Sequence, residues 1–283
     1  MAETASVERV KDRATGLEKF VLREARGSSV EKHQVSSVSI LLKWYQVYLY
    51  GGQVTSWKSN SGQQLLFVSH KAHFKPPKAI RGGIQICFPQ VWSSGFHGQL
   101  MFPVKCYEFR LRVALSPRGD LILTSRIRNT SSDGKPFQFT FAYHTYFSVS
   151  DISEVRVEGL ETLDYFDHLQ SKIRCTEQGD AVVFESEKVV IIDHEKKRTF
   201  VLRKDGLPDV VVWNPWDKKA KAMPDFGDED YKNMLCVGAA AIEKPITLKP
   251  GEEWQGRQEI SAVPSSYSSG QLDPEVIRRM HTI

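Results

Sequence analysis

Four short stretches of this 283-residue chain carry side chains that could do chemistry. The first is Ala79-Ile80-Arg81-Gly82-Gly83-Ile84. Paired glycines let a backbone turn sharply or approach a ligand closely, and the planar Arg81 guanidinium suits phosphate or sugar oxygens. A solvated arginine in a turn fits the same pattern. The second is Phe141-Ala142-Tyr143-His144-Thr145-Tyr146-Phe147, where an imidazole follows an aromatic run. A histidine is the natural acid–base group at neutral pH, although a packed strand histidine has the same signature. The third, Leu207-Pro208-Asp209-Val210-Val211-Val212-Trp213-Asn214-Pro215-Trp216, brings two tryptophans that could wall a sugar site or pack in a core. The fourth, Met234-Leu235-Cys236-Val237-Gly238-Ala239-Ala240-Ala241-Ile242-Glu243-Lys244-Pro245, runs into small residues, as strands do where a ligand or another backbone comes near.

The elements that must position these groups read as strands. Short aromatic and β-branched runs recur between Gly, Pro, Asn and Asp, which is the pattern of an antiparallel β fold. In 137–143 the period of two puts Phe137, Phe139, Phe141 and Tyr143 on one face, and Gln138, Thr140, Ala142 and His144 on the other. Asp133-Gly134 predicts a hairpin turn joining 121–128 to 137–143. Helical signals are few: a short turn over Asp230 to Leu235, and a C-terminal turn from Pro274 to Met280 with Asp273 as its cap. The basic runs Lys196-Lys197-Arg198 and Lys218-Lys219-Ala220-Lys221 read as solvated turns or strand ends. The expected organisation is one β-sandwich domain over 16–264, with loosely packed termini at 1–15 and 265–283.

Composition is that of an ordinary globular protein, with 41% hydrophobic and 25% charged residues. A formal net charge of +4 without a basic stripe argues against nucleic-acid binding and suits a small anionic substrate. Cys87, Cys106, Cys175 and Cys236 have no metal-ligand spacing and read as free thiols in a reducing compartment. The N-terminal 26 residues lack the apolar stretch of a secretory signal, and Val38 to Tyr50 is too short and too polar to span a bilayer. A cytoplasmic protein with no metal, no cofactor and no membrane or nucleic-acid partner is expected.

In combination and in this order, Arg81-Gly82-Gly83, Tyr143-His144-Thr145-Tyr146-Phe147 and Val211-Val212-Trp213-Asn214-Pro215-Trp216 resemble the glucose-6-phosphate 1-epimerases of the galactose-mutarotase superfamily, from about Gly16 to the C-terminal region. The resemblance implies an all-β fold, a large antiparallel β-sandwich of the galactose-mutarotase-like kind with few short helices. It implies a monomer that interconverts the α and β anomers of a hexose 6-phosphate. In that chemistry a carboxylate takes the anomeric hydroxyl proton while a histidine protonates the ring oxygen. Carried over by position, His144 is the catalytic acid, Arg81 is a substrate-binding residue facing the phosphate, and His97 in Phe96-His97-Gly98 is a second substrate-binding residue.

The same resemblance puts the general base at the position of Gly238, and glycine has no side chain to take a proton. Glu243 lies an odd number of residues further on and would face the other side of an extended strand. Gln85 stands where a proline is usual, and residues usual between Glu187 and Lys188 are absent. Two readings stay open: an epimerase of impaired turnover, and a non-catalytic carbohydrate-phosphate binder or inactive isoform.

Overall fold

Runs of aromatic and β-branched residues alternating with polar ones fold here as antiparallel strands. The computed structural model describes residues 6–23, 45–48, 50–59, 61–76, 78–89, 107–116, 118–160, 164–167, 173–176, 181–183 and 188–265. Its strands are β1 Ser6–Lys11, β2 Glu18–Arg23, β3 Tyr45–Tyr48, β4 Gln53–Trp57, β5 Ile84–Cys87, β6 Tyr107–Leu115, β7 Leu121–Asn129, β8 Phe137–Ser148 and β9 Val155–Glu158. They continue with β10 Asp164–Asp167, β11 Ile173–Thr176, β12 Ala181–Val183, β13 Lys188–Asp193, β14 Arg198–Asp205, β15 Asp209–Trp213, β16 Met234–Leu248 and β17 Glu253–Pro264. Eleven of them form one sheet, in the order β1-β2-β3-β4-β5-β8-β16-β15-β12-β10-β11, and six form a second, β6-β7-β17-β14-β13-β9. Every strand pair is antiparallel. Among the described residues no helix is long and apolar enough to cross a membrane.

The two sheets bury a common apolar layer. Phe139, Phe141, Tyr143 and Phe147 from β8, and Leu235, Val237, Ala239 and Ala241 from β16, share one cluster with Leu121, Leu123 and Ile127 from β7, Phe200 and Leu202 from β14, and Ile260 from β17. The period of two that puts these residues inward puts Ala142, His144 and Tyr146 of β8 on the outer face. Polar contacts pin the layers together behind His144. The fully buried Tyr143 hydroxyl donates to Ser125 Oγ at 2.7 Å, and Gln258 Nε2 donates to Thr145 Oγ1 at 3.0 Å. A buried phenol needs such a partner, so both contacts fix the strand that carries the imidazole.

Two expectations are corrected. Strands 121–129 and 137–148 are not a hairpin: β7 pairs with β6 and β17, while β8 pairs with β5 and β16. Asp133-Gly134 does turn the chain, with Gly134 at φ 74°, but the turn passes from one sheet to the other. Each strand has one apolar face, and stacking those faces buries both, which edge-to-edge pairing would not do. The run Lys218-Lys219-Ala220-Lys221 is not a turn but part of α1, Trp216–Ala222, whose Ala220 is buried beneath exposed lysines. The short turn at Asp230 is present as a 3-10 turn over Asp230–Asn233. The C-terminal turn from Pro274 lies outside the described residues.

Candidate active site

The outer face of the large sheet is covered at one end. There α1 and the segment after it bury Ala220, Phe226 and Met234 against Tyr146 and Cys236, with Phe67, Trp213, Met223 and Tyr231 at the margin. Beside this cover, one row of residues crosses the sheet. Gln85 lies opposite His144, His144 opposite Gly238, and Gly238 opposite Val211. The His144 imidazole meets Tyr146 edge-on at 5.0 Å between ring centroids and Trp213 at 5.8 Å. Among the described residues it has no hydrogen-bond partner.

Arg81 reaches this row from the turn before β5. Gly82 (φ 125°) and Gly83 (φ 67°) take conformations that favour glycine, and an added Cβ would stand 2.5 Å from Phe67 O and 2.1 Å from Val54 O respectively. Gln53 braces the turn, donating from Nε2 to Ile80 O and Gly82 O at 2.6 Å and accepting from Ile80 N. Gln85 Nε2 also donates to Ile80 O at 2.7 Å and braces the same turn. Gly83→Ala is expected to cost about 3 kcal/mol or more, since left-handed strain and a backbone clash add together. Thermal unfolding followed by circular dichroism checks this. A midpoint within 2 °C of the parent's contradicts it, given the roughly 2–4 °C per kcal/mol of a domain this size.

The Arg81 guanidinium, 28% exposed, lies against the Asp225 carboxylate, with Nε 3.2 Å from Oδ2 and Nη2 3.3 Å from Oδ1. Its Nη1 donates to the Tyr146 hydroxyl at 3.5 Å. Burial alone would lower the Arg81 pKa, but Tyr146 and Asp225 outweigh it and the group stays charged. Burial pushes the Tyr146 phenol above its ordinary range, so it remains a neutral acceptor. His144 moves the other way. Its burial and the nearby Arg81 charge push it down from 6.5 to about 4, and the imidazole is neutral at physiological pH.

That depression has a linkage consequence. Between about pH 6.5 and about pH 4 the unfolded chain binds a proton that the folded chain refuses. The contribution of neutral His144 is therefore whole above pH 6.5 and is lost as pH falls through that window. His144→Gln is expected to flatten the fall in melting midpoint between pH 7 and pH 5 relative to the parent. An unchanged slope would mean that His144 titrates normally.

Of the residues singled out in the sequence, the structure brings Arg81, His144, Trp213 and Gly238 together. His97 lies outside the described residues, as do Cys106 and Glu187. The thiols of Cys87 and Cys236 are free, and burial pushes Cys87 up to about 11 and Cys236 well above its ordinary value. The parity count that turned Glu243 away from the site does not hold, because β16 has an irregularity between Ala241 and Ile246. The nearest outward carboxylate on the neighbouring strand, Asp209, is 2% exposed, and its Oδ2 accepts from the backbone N–H groups of Ile242 and Glu243 at 2.6 and 2.9 Å. Asp225 was missed in the sequence, since it stands among Asp228, Glu229 and Asp230 in what reads as a solvated acidic turn. Among the described residues no group of three or more His, Cys, Asp or Glu could hold a metal ion.

Comparison with known proteins gives three results. The family model described as aldose 1-epimerase matches residues 91–261. A protein of Cenchrus ciliaris named "Putative glucose-6-phosphate 1-epimerase" is 58% identical over 92% of this chain and 89% of its own length, and a Haemophilus influenzae protein of the same name is 30% identical over 65% of this chain and 75% of its own. The crystal structure of a "putative mutarotase" from Salmonella typhimurium superposes with a TM-score of 0.64 at 21% identity, covering 92% of this chain and 94% of that one, and at that identity it shows the fold.

Proposed function

The chain belongs to the aldose 1-epimerase family, an isomerase family, and on that premise we propose that a cleft beside His144 and Arg81 binds hexose 6-phosphates and interconverts their α and β anomers. One observation carries the reading: an imidazole with no hydrogen-bond partner among the described residues sits on a pinned central strand beside a guanidinium that is charged and partly exposed. In the proposed roles Arg81 takes the 6-phosphate and His144 gives a proton to the ring oxygen as the bond from that oxygen to C1 breaks. A solvent water takes the anomeric hydroxyl proton as C1 becomes a carbonyl, the C1–C2 bond rotates, and on closure the ring hydroxyl returns its proton to His144 while the carbonyl oxygen regains one from that water. The proton count balances within acid–base chemistry and no electron is transferred.

A free imidazole held near 4 is a weak proton supply at pH 7. A substrate phosphate on Arg81 would offset the guanidinium charge, the lesser of the two causes that depress His144, and so raise its pKa while the larger effect of burial stays. Substrate phosphate then both binds and primes the acid. Glucose lacks that charge, and its anomer exchange is expected to be accelerated at least about tenfold less than that of glucose 6-phosphate. Exchange NMR on both sugars with one protein sample measures this, and equal acceleration would remove the priming role.

Gly238 favours a second reading of the same cleft, a binder without turnover. Opposite His144 the glycine offers no proton acceptor, and the carboxylates of Asp209 and Asp225 are both engaged. Titration calorimetry with glucose 6-phosphate tests the part common to both readings. Saturable binding supports them, and no binding by folded protein removes both. The reading carries with it a small-molecule partner, a monomer, and a reducing, cytoplasmic setting in keeping with the free thiols of Cys87 and Cys236.

A further inference from the structure

We propose that Asp225 is a positioning residue that turns the end of the Arg81 guanidinium towards the cleft, and so selects phosphorylated over unphosphorylated sugars. The inference rests on the phosphate-binding reading above.

A guanidinium has five N–H donors in a fixed plane. Asp225 occupies Nε–H and one hydrogen of Nη2, and Tyr146 occupies one hydrogen of Nη1. One N–H is left on each terminal nitrogen. In the proposed arrangement Tyr146 takes the Nη1 hydrogen on the side-chain side, which leaves two parallel donors at the tip of the plane as the fork that binds two oxygens of one phosphate. Without Asp225 to hold the side of the plane, the flexible arginine would lose this orientation and the ligand would have to restore it at an entropic cost.

Asp225 can do this because its own segment is held at several points. Phe226 is fully buried and packs on Phe67 at 5.8 Å between ring centroids. Phe226 N donates to Met223 O, and Gly227 N donates to Ser69 Oγ at 3.1 Å and Asp230 Oδ2 at 3.0 Å. Ser69 Oγ in turn donates to Asp230 Oδ2 at 2.6 Å, and the His70 ring nitrogen Nδ1 lies 3.0 Å from Asp230 Oδ1. A Cβ at Gly227 would stand 2.2 Å from the His70 ring and 2.6 Å from the Asp230 carboxyl carbon, so the chain passes there at close quarters. The other acids of the segment, Asp228 and Glu229, are exposed and pair with Lys71 and Lys232. Asp225 alone among them faces Arg81.

The test is a double-mutant cycle read by calorimetry with glucose 6-phosphate, inorganic phosphate and glucose. Asp225→Asn is expected to weaken both phosphate ligands about tenfold while leaving glucose unchanged, and to have less than about a twofold effect in an Arg81→Met background. An equal loss in both backgrounds, an equal loss for glucose, or no loss at all overturns the proposal. Tyr146→Phe removes the flanking acceptor at nearly constant volume and is expected to weaken phosphate about threefold; it provides a second route if Asp225→Asn proves too unstable. No phosphate binding by the folded parent also overturns the inference. Phosphate binding without anomer exchange leaves it standing and removes only the proposed activity.

Discussion

A Gly238→Glu variant is expected to exchange the anomers of glucose 6-phosphate about 10²–10⁴-fold faster than the parent chain, the usual span for one member of an acid–base pair. Position 238 is directly opposite His144 and shares its outward face, so a carboxylate there would stand on the same side of the sheet as the imidazole. Of the carboxylates beside this row, Asp209 holds two backbone N–H groups and Asp225 holds Arg81. The substitution has a structural cost. A Cβ at Gly238 would lie 2.8 Å from Tyr143 O, tighter than side-chain carbons sit against backbone, and β16 and β8 must part slightly to admit it. A melting midpoint lower by a few degrees is expected, from a cost of about 1 kcal/mol. Exchange NMR on parent and variant at equal concentration reads the rate. A folded variant no faster than the parent would show that this row is not where the proton is accepted.

In the Gly238→Glu background, His144→Gln is expected to remove about 10²–10⁴-fold of the rate while leaving glucose 6-phosphate affinity within about threefold. The separation follows from geometry. The phosphate is assigned to Arg81, on the turn before β5, and the proton to His144, on β8. Glutamine approximates the size of the imidazole and cannot donate an ionised proton, so packing against Tyr146 and Trp213 is largely kept. A parallel loss of affinity and rate would assign His144 to binding rather than to proton transfer.

The face on which His144 lies was legible in the sequence because 137–143 alternates aromatic with smaller or polar residues, and a strand's period of two admits one assignment of faces. The partner of that strand was not legible. An apolar face on 121–129 and another on 137–148 can be satisfied by stacking as well as by pairing, and the choice is made by β16 and β17, whose paired residues are 86 to 139 positions away. Helix α1 was hidden because its seven residues follow Pro215 without a side-chain cap and carry one buried position, Ala220, too few for a helical period to register. Arg81 could be read as an anion-binding group from its type and its glycines. Its orientation could not, since Asp225 is 144 residues away and looks no different in sequence from the solvated acids beside it.

The placement of Gly238 bears on how such a chain changes over generations. The residue lies mid-sheet, with its backbone in full register and the apolar core on the opposite face, so the core does not depend on what side chain it carries. Selection for a folded protein sees this position through the close approach of Tyr143 O, and on the proposed function selection for turnover would see it as well. Two of the four glycine codons become glutamate codons by one base change. On the proposed function, a lineage could lose or regain the proton acceptor in a single mutational step, weighing demand for the reaction against the stability cost of the added side chain.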